Sequence, residues 1–416
     1  MYRGLFRKGG FVVGDSGVSG VPAVATEKTS VISVLDSIIE NAHAIGASDI
    51  HFDPSALGLI VRMRVDGELR EMQVLPNNAQ CEMIARIKIL THLRTDEHQS
   101  AQDGRFCFVT AGGESINVRV SIMPTYHGEN CVMRLLVERE GNATLERLGF
   151  SSAHCDILTR AIANPYGMIL MTGPTGSGKT TTLYTLIKML NTSATAIVTI
   201  EDPIEYSIHG INQIQLNRRT GVTFANGLRG IVRQDPNVIM VGEIRDAETA
   251  GIAVNAALTG HLLLSTLHTN DAASAIPRLL DLKIEGYLIA STLSVVVAQR
   301  LIRRICPLCK TQRTTTAADA ASLRLLAPNE ETLPHKICYG KGCDACNGTG
   351  YSGRIGIHEV IEVKGALRDA VLQCASADTL RAIALHEGMT PMTLDGFHKI
   401  ASGDTTIEEV LRMRYE

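Results

Sequence analysis

Eight consecutive residues, Gly173-Pro174-Thr175-Gly176-Ser177-Gly178-Lys179-Thr180, carry the densest chemistry in the chain. They match G-x-x-x-x-G-K-[ST], follow the apolar run GMILMT and precede the helical run TTTLYTLIKML. Glycines let a backbone curl until its N–H groups converge, and a following helix adds the positive end of its dipole, so the pattern describes a cradle for phosphate oxygens. In such a cradle Lys179 reaches the β- and γ-phosphates, and the Thr180 hydroxyl joins a magnesium shell. The flanking strand and helix supply the context that a chance glycine-rich turn would lack.

A second chemical cluster is made of sulfur. Cys306-Pro-Leu-Cys309 and Cys343-Asp-Ala-Cys346 form two C-x-x-C knuckles with 33 residues between them. Each offers two thiolates from one tight turn, and four thiolates close a tetrahedral zinc shell. A shell made wholly of cysteine leaves no position for water, so the zinc would be structural. Free thiols are the alternative, and Cys338 is a nearby competitor. The other six of the ten cysteines show no such pairing, and in a reducing compartment the pattern points to metal rather than disulfides.

Hydrolysis of a bound nucleotide needs an oriented water and a balance for the charge on the transferring phosphoryl group. PNVIMVGEIRD supplies a buried strand, Val238 to Val241, ending in Gly242 and Glu243, which puts a carboxylate at the carboxyl end of a strand. Open α/β sheets hold ligands at that edge. Glu243 is the candidate for polarising the attacking water; the alternative is a strand-end ion pair with Arg245 or Arg233. TIEDPIEY, with Glu201, Asp202 and Glu205, and TGHLLLSTLHTND, with His261 and His268, read as further strand ends around the same pocket. Carboxylates there suit magnesium-bound waters and a histidine can sense a γ-phosphate, although a lone histidine beside an apolar strand is more often structural.

The elements that must hold these groups follow from periodicity. Apolar residues at helical spacing (Val31, Val34, Leu35, Ile38, Ile39) predict a helix from about Thr29 to Gly46. Val65-Asp66-Gly67 marks a hairpin between two strands, a second helix is expected from Cys81 to Leu93, and strands follow through Leu136. Short apolar runs then alternate with helical segments at Met168 to Met171, Ala196 to Ile200, Val238 to Val241 and Leu262 to Leu264, which predicts a parallel sheet covered by helices. Tyr287 to Ile302 reads as a core helix, broken by polar residues and too short to cross a membrane. Beyond Arg304 the chain is cysteine- and glycine-rich to Gly350 and then reads as helical to its end.

Composition bounds the rest. With 416 residues, 45% of them hydrophobic, the chain has material for two or three domains with their own cores. Forty basic against 43 acidic residues give a formal charge of −3, so there is no global cationic field to draw in nucleic acid or anionic lipid. The opening MYRGLFRKGGFVVGDSGVSG lacks the apolar stretch of a secretory signal and reads as a loose tail of a cytoplasmic protein.

From about Ala47 to the end, the chain resembles the secretion ATPase superfamily, in the branch of type II secretion and type IV pilus-assembly ATPases. The resemblance rests on seven ordered segments: ASDIHFDP, QDGRF, INVRVSIMPTYHGENCVMRLL, GPTGSGKT, TIEDPIEY, GLRGIVRQDPNVIMVGEIRDAETA and TGHLLLSTLHTND. It implies an α/β fold: a RecA-like P-loop core with an N-terminal PAS-like α+β domain and a C-terminal zinc-binding and helical region. The divisions expected are a tail over 1–28, the PAS-like domain over 29–138, the ATPase core over 139–305, the tetracysteine subdomain over 306–350 and a helical subdomain over 351–416. It further implies a homo-hexamer that hydrolyses MgATP between the two main domains. Glu201 and Glu205 are then the aspartate-box carboxylates, Glu243 the Walker B glutamate, and His261 and His268 the histidine-box residues. Arg119 and Arg134 become cations that approach the phosphates. The tetracysteine element is typical of the assembly and secretion motors and typically absent from retraction motors. The implied partner is an inner-membrane platform protein, with peripheral membrane association through it. Relatives commonly dock there through a further N-terminal domain, whereas about 28 residues precede the first helix here, so either the chain is trimmed or the motor docks differently.

Three rivals remain. A retraction motor is disfavoured by the cysteine cluster. A nucleic-acid-translocating RecA-like motor would call for a basic channel with stacking aromatics, against 4% aromatics and no Trp, so direct nucleic-acid binding is not expected. A nucleotide-dependent scaffold without turnover would not need Glu243.

Overall fold

The computed structural model describes residues 30–136, 144–217 and 220–415. The tail expected over 1–28 lies outside them, as does the expected boundary at 138/139. The described residues form two compact units, one comprising residues up to Val65 and from Leu69 to Leu135, the other Asp66–Glu68 and the chain from Leu136 onward.

The N-terminal unit is α+β, as expected. Helix α1 (Val31–Ala44) is capped by the Ser30 hydroxyl and buries Leu35, Ile38, Ile39 and Ala42. Strands β1 (Asp49–Ser55), β2 (Gly58–Val65) and β3 (Glu68–Leu75) precede α2 (Asn77–Leu90), and β4 (Gln102–Val109), β5 (Ser115–Thr125) and β6 (Gly128–Leu136) complete a six-stranded sheet of order β3-β2-β1-β6-β5-β4. Asp66 and Gly67 both have positive φ, the conformation for which Asp-Gly is selected in a two-residue hairpin. The second helix begins at Asn77 rather than Cys81, because its polar first turn carries no apolar signal, and it ends at Leu90, three residues early, before His92 at φ 56°.

In the second unit, α3 (Ser152–Ile162) leads into β7 (Gly167–Thr172), α4 (Lys179–Leu190), β8 (Ile197–Glu201), β9 (Asn212–Gln215), α5 (Phe224–Val232), β10 (Val238–Val241), α6 (Ala247–Leu258) and β11 (Leu262–Leu267). There follow α7 (Ala275–Asp281), α8 (Gly286–Thr292), β12 (Leu293–Ile305), β13 (Lys310–Thr314), α9 (Ala317–Leu326), β14 (Lys336–Gly340) and β15 (Tyr351–Glu362). Four helices end the described chain: α10 (Gly365–Leu372), α11 (Ala377–His386), α12 (Met392–Ala401) and α13 (Ile407–Tyr415). The main sheet has the order β15-β12-β7-β11-β10-β8-β9, parallel throughout except for the antiparallel β12/β15 pair. Strands β7, β8, β10 and β11 are buried along their whole length, as a parallel sheet covered on both faces requires.

Two expectations are corrected here. Tyr287 to Ile302 is not one helix: α8 stops at Thr292 and β12 takes over, because Val295, Val296 and Val297 are β-branched residues that pack well on a buried strand beside β7. Likewise the chain after Gly350 is not helical at once; residues 351–362 form β15, which closes the edge of the main sheet against β12.

The C-terminal helices are tied to this edge by a buried ion pair. Asp395 on α12 accepts from Lys399 Nζ at 2.5 Å and from the His358 backbone N–H of β15 at 2.8 Å, with Asp395 and Lys399 4% and 7% exposed. Removing one member of a buried pair strands the other charge, typically at about 3–5 kcal/mol. We therefore expect Asp395→Ala to destabilise the unit by roughly that amount, and Asp395→Ala with Lys399→Met to recover most of the loss. Urea unfolding of the three proteins checks this; an unchanged midpoint for the single variant would remove the pair from the account.

Candidate nucleotide site and four-thiol centre

The order of the strands decides which side chains meet. β7, which feeds the glycine-rich loop, lies between β11 and β12, and β10 is on the far side of β11. All four are parallel, so their carboxyl ends share one edge. Side-chain hydroxyls lock those ends together. Thr172 Oγ1, at the end of β7, bonds the Thr269 backbone and hydroxyl beyond β11 at 2.9 and 2.6 Å. Ser265 and Thr266 of β11 donate to the carbonyls of Val241 and Gly242 at 2.7 and 2.8 Å. A short polar seam thus runs from the loop to Glu243 through a sheet otherwise filled by aliphatic residues.

The loop itself requires its glycines. Gly173, Gly176 and Gly178 have φ of 137°, 80° and 87°, and a Cβ on Gly173 would lie 2.3 Å from the Gln299 carbonyl oxygen. Gly178 is the N-cap of α4 and offers no side chain to its first-turn N–H groups, so those donors remain for a ligand. Lys179 is 9% exposed and donates to the carbonyls of Gly173 and Pro174 at 2.7 and 2.9 Å. Among the described residues no carboxylate is within ion-pair distance of it. Burial lowers its pKa below the usual lysine range, with Glu243 opposing the shift. Ser177 Oγ is buried and unpartnered, and Thr180 is half-buried in the first turn of α4. A buried cation without an anion, an orphaned hydroxyl and free helix-terminal donors form a donor set that fits a polyphosphate, with Thr180 available to its magnesium.

Glu243 follows β10 directly and is buried; its Oε2 accepts from Arg245 Nε at 2.5 Å and from His268 Nε2 at 3.1 Å. The ion pair with Arg245 considered from sequence is therefore formed, but at a buried carboxylate beside the loop lysine, and it raises the Arg245 pKa. Arg233 instead donates to the Arg229 carbonyl. His268, half-exposed, sits just past the carboxyl end of β11.

The remaining candidates separate. Glu201 ends β8 and is 2% exposed; its carboxylate accepts from the Tyr184 hydroxyl, from Thr199 Oγ1 at 2.5 Å and from Gln213 Nε2 at 3.3 Å. Burial and this carboxylate together raise the Tyr184 pKa far above its ordinary value. Glu205 is half-buried in the loop that follows β8. His261 corrects the expectation of one pocket. It precedes β11, at the amino end of the strands, and its Nδ1 is 3.0 Å from the Ala256 carbonyl, whereas the loop, Glu243 and His268 are all at the opposite edge. Arg119 is exposed on β5, and Arg134 on β6 pairs with Asp49 at 2.9 Å; both belong to the N-terminal unit. The sequence reading passed over Thr172, Thr269 and Gln299. The first two were legible as threonines at or just past apolar strand ends, the third as a glutamine shortly after a β-branched run.

The four thiols converge as their spacing suggested. The sulfurs of Cys306, Cys309, Cys343 and Cys346 lie within 4.8 Å of one another, with 3.9 Å for Cys306–Cys343, 3.8 Å for Cys309–Cys346 and 3.7 Å for Cys343–Cys346. Four sulfurs at about 2.3 Å around a tetrahedral ion are about 3.8 Å apart, so the set fits zinc. Burial works to raise the Cys346 pKa, but N–H groups of Cys343 and Gly350, each 3.2 Å from its sulfur, and the neighbouring thiols bring it down to about 6. Cys338 is outside the cluster, on β14, where it faces Gly403. The knuckles are held by close backbone contact: a Cβ on Gly340 would fall 2.0 Å from the Gly350 carbonyl oxygen.

Comparison with known proteins agrees with this geometry. The family model described as type II/IV secretion system protein matches residues 24–412. The type II secretion system protein HxcR of Pseudomonas aeruginosa is 46% identical over 384 residues, covering 92% of this chain and 77% of that one. The type IV pilus assembly ATPase PilB of Thermus thermophilus is 42% identical over 391 residues, covering 94% of this chain and 44% of that one. Among solved structures, the pilus retraction motor PilT with bound ADP superposes with a TM-score of 0.62 at 25% identity, covering 91% of this chain and 96% of that one. The ATPase DotB of Legionella pneumophila has a TM-score of 0.69 at 21% identity, covering 94% and 98%, and shares the fold. With a RecA-like α/β core, the phosphate-binding loop and a family match over nearly its whole length, the chain belongs to the type II/IV secretion system family of ATPases.

Proposed function

We propose that this chain is the hexameric, MgATP-driven motor of a type II secretion pseudopilus or type IV pilus, acting through an inner-membrane platform protein to which it docks peripherally from the cytoplasm. The observation that carries the reading is the placement of Glu243 and His268 beside the Lys179 loop, at the carboxyl edge of one parallel sheet. Among the described residues no helix is long and apolar enough to cross a membrane. Relatives named for secretion and for pilus assembly match at 42–46% identity, whereas the retraction motor is a more distant structural likeness.

In this reading the residues 173–180 hold the phosphates and Lys179 trades its carbonyl partners for phosphate oxygens. Bound magnesium supplies charge screening of the polyphosphate, with Thr180 as its protein hydroxyl. Glu243 orients the attacking water, and its bonds to Arg245 and His268 fix the carboxylate. Glu201, already bonded to Tyr184, Thr199 and Gln213, holds the end of β8, with Glu205 as the second aspartate-box carboxylate. Assigning Arg119 and Arg134 to the same reaction rests on the family resemblance. The finer divisions at 306 and 351 are proposed as functional subdomains, with β15 reassigned to the core sheet. Zinc at the four thiols supplies a structural cross-link for the 306–350 lobe.

Lys179→Ala is expected to abolish nucleotide binding or turnover, while Glu243→Gln retains ATP but hydrolyses it at least about 100-fold more slowly. Fluorescent-nucleotide titration with a phosphate-release assay separates the two; equal weakening of affinity by both would refute the roles. Metal analysis of the purified protein should find one zinc per chain. Chelation should raise amide exchange across 306–350 while leaving 167–190 protected. Absence of zinc would overturn the assignment.

A further inference from the structure

We infer that Gln299 is a positioning residue for the phosphate-binding loop, holding the first turn of α4 in register with the sheet. The inference deepens the nucleotide-site reading and rests on it. Gln299 is the only amide side chain on β12, opposite His358 of β15, and it is 2% exposed. Burying an amide is costly unless it is bonded, so a glutamine here needs a reason.

The surrounding geometry provides one. β12 runs parallel to β7 with Ala298 opposite Thr172, which sets Gln299 beside the start of the loop. Its Oε1 accepts a 2.7 Å hydrogen bond from Thr182 Oγ1, a fully buried hydroxyl at the end of the first turn of α4. Its Nε2 occupies the place a side chain on Gly178 would take, 2.8 Å from that Cβ position, and its carbonyl oxygen similarly excludes a side chain at Gly173. The two ends of the loop, Gly173 and Gly178, are therefore both moulded against one residue of the neighbouring strand. α4 has no side-chain cap, so the Thr182–Gln299 bond substitutes for one in aiming its N-terminal donors.

Loss of this bond leaves the Thr182 hydroxyl with only its longer 3.4 Å contact to the Gly178 carbonyl, or the Gln299 amide oxygen without Thr182, and lets the first turn of α4 shift. The donors of the loop are then misaimed while Glu243, on the other side of β7, is untouched. Gln299→Leu and Thr182→Val are each expected to raise KM for ATP about tenfold with kcat falling less than about threefold, because the loss is in phosphate binding rather than in the water-activating group. The double variant should be little worse than either single one, since both remove the same bond. Thr182→Ser keeps the hydroxyl and should restore the KM. Steady-state phosphate release and ADP titration are run on the full chain, with thermal melts alongside and Lys179→Ala as the reference. A wild type that binds no nucleotide would sink the site reading itself. A normal wild type and an inactive Lys179→Ala, with Gln299→Leu and Thr182→Val lowering the melting temperature but leaving KM unchanged, would overturn the positioning role. Full additivity of the two changes in KM would overturn it as well.

Discussion

A buried ammonium with only carbonyl oxygens around it is the constraint on which the rest of this structure depends. Lys179 is 9% exposed and bonded to Gly173 and Pro174. Desolvating a cation against neutral acceptors is unfavourable, and the loop stores that cost until an anion arrives. Everything near it serves either to keep the lysine there or to prepare for the anion. The glycines bring the carbonyls inward, the uncapped α4 points N–H groups at the same place, and Glu243 lends a negative charge without an ion pair to the lysine.

The sheet turns that local arrangement into a site. Inserting β11 between β7 and β10 sets the Glu243 carboxylate one strand away from the loop, and the hydroxyls of Thr172, Ser265 and Thr266 bond the three strand ends together. On the other side β12 contacts the loop through Gln299 and then continues to Ile305 and the four-thiol centre. One strand thus connects the glycine-rich loop with the four-thiol lobe.

Much of this was legible in the sequence because its motifs are local. The glycine loop, the two cysteine knuckles and the Val238–Val241 strand need only a few adjacent residues to be recognised, and the structure gives them the expected backbone. What the sequence obscured depends on neighbours far along the chain. The run through Val295–Val297 reads as part of a helix until β7 is there to pair with it, and Tyr351–Glu362 is a strand that pairs with β12. His261 and His268 share one motif yet are placed at opposite ends of β11, since a six-residue strand separates them. Glu201 looked as available as Glu205, but Tyr184 and Gln213, remote in sequence, engage its carboxylate.

The most direct measurement is a crystal structure of the full chain with magnesium and a non-hydrolysable ATP analogue. The account predicts that Lys179 Nζ leaves the carbonyls of Gly173 and Pro174 for the β- and γ-phosphates, that Thr180 Oγ1 enters the magnesium shell, and that the Glu243 carboxylate faces a water in line with the γ-phosphate. An analogue bound elsewhere, or bound at the loop with Lys179 still on its two carbonyls and Glu243 turned away from the γ-phosphate, would contradict it.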